Sequence, residues 1–172
     1  LLFAFTHNVP KTLEYVITGG EDLVARKRKM DLPRALPDYE SFDAFYDAFV
    51  GELRRELHLK FRQLDIGCEE MARLRPAYVQ SAMIMDCAER GRGQHDGGAR
   101  YPNYGAAPLG IQNAADSLYA IRRAVFDEGF CSAAEMLEAL RSDFEGREAL
   151  RRRLLALPKF GLGHAEEIGR AS

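Results

Sequence analysis

Ser41-Phe42-Asp43-Ala44-Phe45-Tyr46-Asp47-Ala48-Phe49-Val50-Gly51-Glu52-Leu53-Arg54-Arg55-Glu56-Leu57 is the stretch that decides the fold class. Phe42, Phe45, Tyr46, Phe49, Leu53 and Leu57 recur at three- and four-residue steps, which places them in one stripe of an α-helix and excludes the two-residue period of a strand. Ser41 is placed to cap it. The pattern predicts a helix running to about Asp65, with Gly67 as a break. A second helical stretch follows over residues 68–89, interrupted at Pro76, with Val79, Met83, Ile84 and Cys87 as its inner face. Aromatic stripes of this kind read as core.

Outward from this helix the pattern stays mostly helical. Towards the N-terminus, Asn8 can cap a short helix in whose first turn Pro10 is tolerated, because amides there lack partners. Leu13, Val16 and Ile17 form its apolar face and Gly19-Gly20 ends it. Residues 21–40 are charged, contain Pro33 and Pro37 and show no period, so they read as an exposed loop. Residues 91–110 are rich in glycine and proline and leave no room for a helix. A segment that long and irregular inside a compact domain is usually functional. Three helices follow. Asn113 is placed to cap the first, with Asp116 in its opening turn and Leu118, Ile121 and Val125 facing inward. Ser132-Ala133-Ala134-Glu135 reads as a capping box, with Cys131 and Met136 as its staple. Met136, Leu137, Leu140 and Phe144 form its face, and Gly146 ends it. Leu150, Leu154 and Leu157 mark the last helix, which Pro158 stops.

Composition narrows the function classes. The chain has 172 residues, 24 basic against 26 acidic side chains, and a net charge of -2. There is no basic excess of the kind that binds nucleic acid, and no apolar run approaches a membrane span. Three scattered cysteines, Cys68, Cys87 and Cys131, do not make a disulfide framework, so a reducing cytoplasm is the expected compartment. His7, His58, His95 and His164 never fall at metal-ligand spacing. The glycines of 91–110 lack the Lys-Ser/Thr ending of a P-loop, and Gly91-Arg92-Gly93 follows a helical pattern, which excludes a dinucleotide fingerprint. Gly97 and Gly98 permit a tight turn beside Arg100 and Tyr101. That turn reads either as a connection pinned by an arginine salt bridge or as a substrate contact.

Three segments occurring in order carry a family resemblance: Asp86-Cys87-Ala88-Glu89-Arg90-Gly91-Arg92, then Gly97-Gly98-Ala99-Arg100-Tyr101, then Leu109-Gly110-Ile111-Gln112-Asn113-Ala114-Ala115-Asp116-Ser117-Leu118. Together they resemble the glycyl radical enzymes, the pyruvate formate-lyase-like proteins that include glycerol and diol dehydratases and choline trimethylamine-lyase. The likeness continues through Ala120 to Phe126 and ends near Leu157-Pro158-Lys159-Phe160-Gly161. Asn8-Val9-Pro10-Lys11, with Leu13-Glu14 and Gly19-Gly20, resembles the stretch after the family's radical-cysteine loop.

The resemblance implies a mainly α chain with a Gly-rich loop and room for short strands, forming part of a ten-stranded α/β barrel in the intact enzyme. It implies one partial domain over residues 1–172, beginning after the radical cysteine and stopping before the radical glycine, and inert by itself. It further implies a small-molecule substrate whose C–O, C–N or C–C bond is cleaved anaerobically, no directly bound cofactor, a glycyl radical installed by a radical-SAM activating enzyme, and homodimers when intact. The Gly-Gly-Ala-Arg-Tyr and Ala-Asp-Ser-Leu segments look like the dehydratase and lyase branch. Formate C-acetyltransferase, or a non-catalytic helical scaffold or binding domain, are the other readings. Gly67-Cys68-Glu69-Glu70 matches the family's Gly-Cys-x-Glu motif literally, but it comes after the Asn8 segment instead of before it and opens a helical pattern. Cys68 is therefore read as a packing residue, not the thiyl. Phe5, Thr6 and His7, close behind the expected cysteine, and Tyr101, Asn103 and Tyr104 of the Gly-rich loop are the expected substrate-binding residues. Their alternatives are a buried strand end and a satisfied loop network. His7 is the one candidate for acid–base help.

Overall fold

The computed structural model describes residues 2–101 and 104–160, and helices dominate it. The chain divides into two compact units, Asn8–Leu53 with the chain from Pro108 on, and residues 1–7 with Arg54–Ala107.

The larger unit is built around α1 (Val9–Thr18), the first turns of α2 (Phe42–Leu74), α5 (Ile111–Ile121), α6 (Ala133–Arg141) and α7 (Glu148–Leu155). α1 starts where the Asn8 side chain accepts a hydrogen bond from the Lys11 amide at 3.2 Å, and ends where Gly19 turns left-handed at φ 74°. Both ends follow the sequence reading. Residues 21–40 correct it. They contain a short antiparallel hairpin, β2 (Glu21–Asp22) on β3 (Lys27–Arg28), and a 3-10 turn (Leu36–Asp38) that carries the fully buried Leu36. Gly20 makes the hairpin's return possible. Its φ is +102°, and a Cβ there would sit 2.0 Å from the Met30 carbonyl oxygen, so only glycine fits.

The core of this unit joins Val9, Leu13, Val16 and Ile17 of α1 to Phe45 and Phe49 of α2, Leu118 and Ile121 of α5, and Met136 and Leu137 of α6. Tyr39 meets Phe45 edge-on at 5.5 Å, and Phe42 stacks on Tyr46 at 6.0 Å. The capping box is present as expected, with the Ser132 hydroxyl accepting from the Glu135 amide and the Glu135 carboxylate accepting from the Ser132 amide. Asn113 is not a cap. It lies inside α5, and Gly110, left-handed at φ 72°, makes the entry. After Ile121 the helix widens into a π-helical turn (Arg122–Asp127).

The smaller unit holds β1 (Leu2–Asn8) to His7, α2 from Arg54, α3 (Tyr78–Ala82), α4 (Met85–Arg90), a 3-10 turn (Gln94–Asp96) and most of β4 (Tyr104–Leu109). β1 and β4 pair as a two-stranded sheet. Three expectations change here. α2 does not break at Gly67 and continues to Leu74, two residues before Pro76. Val79 and Met83 are not an inner face, being 77% and 81% exposed, while Cys87 is buried. The end of the Gly-rich segment is strand, not loop. No helix among the described residues is long and apolar enough to cross a membrane.

Candidate functional site

The N-terminal strand is held by the helix that follows it in space, not in sequence. In β1 the Phe5 ring meets Phe61 of α2 edge-on at 5.1 Å. The Lys60 ammonium donates to the Thr6 carbonyl at 2.8 Å and lies 5.6 Å from the centre of the Phe5 ring. His7 is buried, with Nε2 3.5 Å from Glu56 Oε2. Burial lowers the His7 pKa below its ordinary 6.5, Lys60 lowers it further and Glu56 partly opposes them. The imidazole is therefore neutral at pH 7, and its contact with Glu56 is a polar contact and not an ion pair. Thr6, between these two, is exposed.

The Gly-rich segment shows the salt-bridge arrangement. Asp86 of α4 accepts from the Arg100 backbone amide at 3.2 Å and pairs with its guanidinium at 3.4 Å. Arg92 pairs with Asp96 at 3.3 Å, and the Gly98 amide donates to the Gly93 carbonyl at 3.0 Å. Gly98 is held so closely that a Cβ would sit 2.1 Å from the Arg92 carbonyl oxygen. Tyr101, just beyond, is 83% exposed. Asn103 lies outside the described residues, and Tyr104 enters as the first residue of β4.

The pairing of β1 with β4 places Tyr104, at the start of β4, on the strand beside the one that carries Phe5, Thr6 and His7, while Tyr101 precedes that strand. Lys60, Glu56 and Asp86 were not predicted, although α2 carried a signal. Glu56 and Lys60 fall four residues apart where the stripe through Phe49 and Leu53 continues, and polar residues interrupting an apolar stripe ask for polar partners. An open cleft of about 630 Å³ in the same unit is lined by Arg73, Tyr78, Ser81, Cys87, Arg92 and His95 among others. The larger unit has an apolar cavity of about 350 Å³ between α1, α5, α6 and α7. Neither cavity is lined by Phe5, Thr6, His7 or Tyr101. Cys68 sits in the interior of α2 and is half-buried, Cys87 is buried in α4, and burial together with the nearby Glu135 pushes the Cys131 thiol up. Among the described residues, no group of His, Cys, Asp or Glu is placed to hold a metal ion.

Residues 2–167 match the pyruvate formate lyase-like family. The trans-4-hydroxy-L-proline dehydratase of Clostridioides difficile is 31% identical over 83% of this chain and 18% of its own length. The (2S)-3-sulfopropanediol dehydratase of Klebsiella oxytoca is 32% identical over 83% of this chain and 17% of its own. Among solved structures, the glycerol-bound B12-independent glycerol dehydratase of Clostridium butyricum superposes with a TM-score of 0.83 at 28% identity, covering 91% of this chain and 20% of that one. The chain spans about a fifth of the length of the curated relatives it matches. A family match over nearly every residue, joined to the same fold in the solved relatives, settles its kinship: the chain belongs to the pyruvate formate lyase-like family, the glycyl radical enzymes.

Proposed function

We propose that this chain is part of a glycyl radical enzyme of the dehydratase or lyase type, acting on a small hydroxylated substrate. The observation that carries the reading is the chemistry shared by its relatives. Besides the two dehydratases above, an isethionate sulfite-lyase is 27% identical over 95% of this chain, and each of these names denotes an enzyme of an alcohol-bearing compound. In that reading β1 and β4 are two staves of a ten-stranded barrel. Thr6, flanked by Phe5 and His7, together with Tyr101, Asn103 and Tyr104 of the Gly-rich segment that leads into β4, form part of its substrate wall.

The radical, installed by a radical-SAM activating enzyme and passed to a cysteine thiyl, supplies hydrogen-atom abstraction from substrate carbon. We assign the thiyl to none of this chain's cysteines. Cys68, the one in a matching motif, projects from mid-helix, where its backbone cannot form the exposed turn that a radical-relay thiol requires. The chain's own contribution is a wall whose strand ends are fixed by Lys60, Glu56 and the Arg100–Asp86 pair, so the reacting carbon meets a pre-set surface that excludes water.

The test is anaerobic co-expression of the full-length enzyme with a radical-SAM activating enzyme, followed by electron paramagnetic resonance and a substrate panel. A glycyl radical signal with elimination of water, sulfite or amine is the expected result. Acetyl transfer between formate and coenzyme A would move the protein to the acetyltransferase branch, and absence of any radical signal would leave a scaffold.

A further inference from the structure

A strand sends successive side chains to opposite faces, and in β1 the two faces have different occupants. Phe5 goes to Phe61 and His7 to Glu56, both on α2. Thr6, between them, is exposed and so points away from α2. Its backbone is nevertheless held, because Lys60 of α2 donates to the Thr6 carbonyl at 2.8 Å. The strand paired with β1 contains Gly105, Ala106 and Ala107, none carrying more than a methyl group.

We propose that Thr6 is the residue through which β1 touches substrate, its hydroxyl pairing with a substrate hydroxyl. Phe5 and His7 belong to the back of the wall, and Lys60 is a positioning residue that sets the strand. The inference rests on the dehydratase or lyase reading above and sharpens it to one substrate group. A threonine hydroxyl both donates and accepts, so it suits a neutral alcohol and gives no advantage to a charged end. His7, held neutral against Glu56 on the opposite face, is not positioned to serve as the acid or base of the reaction.

The experiment uses the full-length enzyme, activated anaerobically and assayed with glycerol, 1,2-propanediol, trans-4-hydroxyproline and isethionate. On whichever of these the wild type consumes, Thr6→Val is expected to raise KM about tenfold, the loss of one neutral hydrogen bond. Radical yield and melting temperature should stay at wild-type values, and Thr6→Ser should recover KM. Lys60→Met should shift KM the same way by a smaller factor. His7→Gln should lower the melting temperature and leave KM within about twofold. An unchanged KM in Thr6→Val, or a rise confined to His7→Gln, overturns the assignment while leaving the enzyme reading in place. So does a loss of radical yield or fold in both Thr6 variants, which would make the residue structural. A radical-bearing wild type inert towards all four compounds removes the hydroxylated-substrate reading, and the inference with it.

Discussion

α2 passes through two environments within one helix. Its first half buries Phe45 and Phe49 completely or nearly so, in a core where α1, α5 and α6 supply partners. Its second half carries Leu59, Phe61, Ile66, Met71 and Leu74 at 39% to 66% exposure, and the α3–α4 segment after it exposes Tyr78, Val79, Met83 and Met85 at 76% or more. The periodicity is similar in both halves, so the difference lies in what is available to cover them. One unit closes on its own hydrophobic core, and the other is shaped by polar contacts: Lys60 to Thr6, Arg100 to Asp86, Ser81 to Gln94.

The largest expected effect tests this contrast directly. Phe45 is fully buried, so Phe45→Ala should cost about 3–5 kcal/mol through lost contacts and a cavity. Met83→Ala, at a position 81% exposed, should stay within about 0.5 kcal/mol. Chemical denaturation of this chain measures both, and equal costs would show that the second unit holds a core of its own.

Next in size is Gly98→Ala, which acts inside the polar unit. The new Cβ would meet the Arg92 and Gly93 carbonyl oxygens at 2.1 and 2.8 Å, both backbone atoms that cannot swing aside. A loss of about 1–3 kcal/mol is expected, read as faster amide exchange over residues 84–100 with α1 and α6 unchanged. Loss of protection in both units together would mean that they unfold as one.

Smaller still are two changes that bear on what could be read from the residues alone. Ser132→Ala should cost about 1 kcal/mol, because the capping box satisfies its own amides within four residues. Such local devices were legible, as were the Asn8 cap and the Gly19 stop of α1. Gly67→Ala should stabilise by about 0.5–1 kcal/mol, since Gly67 lies inside α2 and an added Cβ would have no other heavy atom within 4 Å. Reading Gly67 as a break weighted one unfavourable residue above a 33-residue helix that absorbs it, and Pro76 supplied the real boundary. Non-local features were hidden for a different reason. β4 contains Gly105 and Pro108 and becomes a strand only because β1, some hundred residues earlier, pairs with it. That strand then carries extended backbone to Leu109, so the turn into α5 falls to Gly110 and Asn113 ends up inside the helix. Val79 and Met83 show the limit of periodicity, which identifies an apolar face without supplying its partner. At the site, the order of Phe5, Thr6 and His7 along a strand was legible in principle. Which face each takes depended on Lys60, Glu56 and Phe61, far along the chain on α2.

The subtlest expectation separates the two units by pH. His7 in the polar unit titrates below its ordinary 6.5, mainly through burial and then through Lys60. As pH falls below 6.5 the unfolded chain takes up a proton that the folded chain refuses, so stability is lost from there down to the folded pKa and levels off beneath it. Glu135 in the capping box is also lowered, from 4.5, chiefly by the Ser132 amide and then by the Ser132 hydroxyl. Its stabilisation is complete above 4.5 and disappears only as the carboxylate protonates at still lower pH. Acidification should therefore loosen β1 against α2 first and the start of α6 later. Amide exchange followed from pH 7 to pH 3, corrected for intrinsic rates, resolves the two windows, and His7→Gln should abolish the first while sparing the second. A single shared midpoint would mean that burial of His7 does not set the acid response of its unit, and that Lys60 and Glu56 hold the strand equally well around a charged ring.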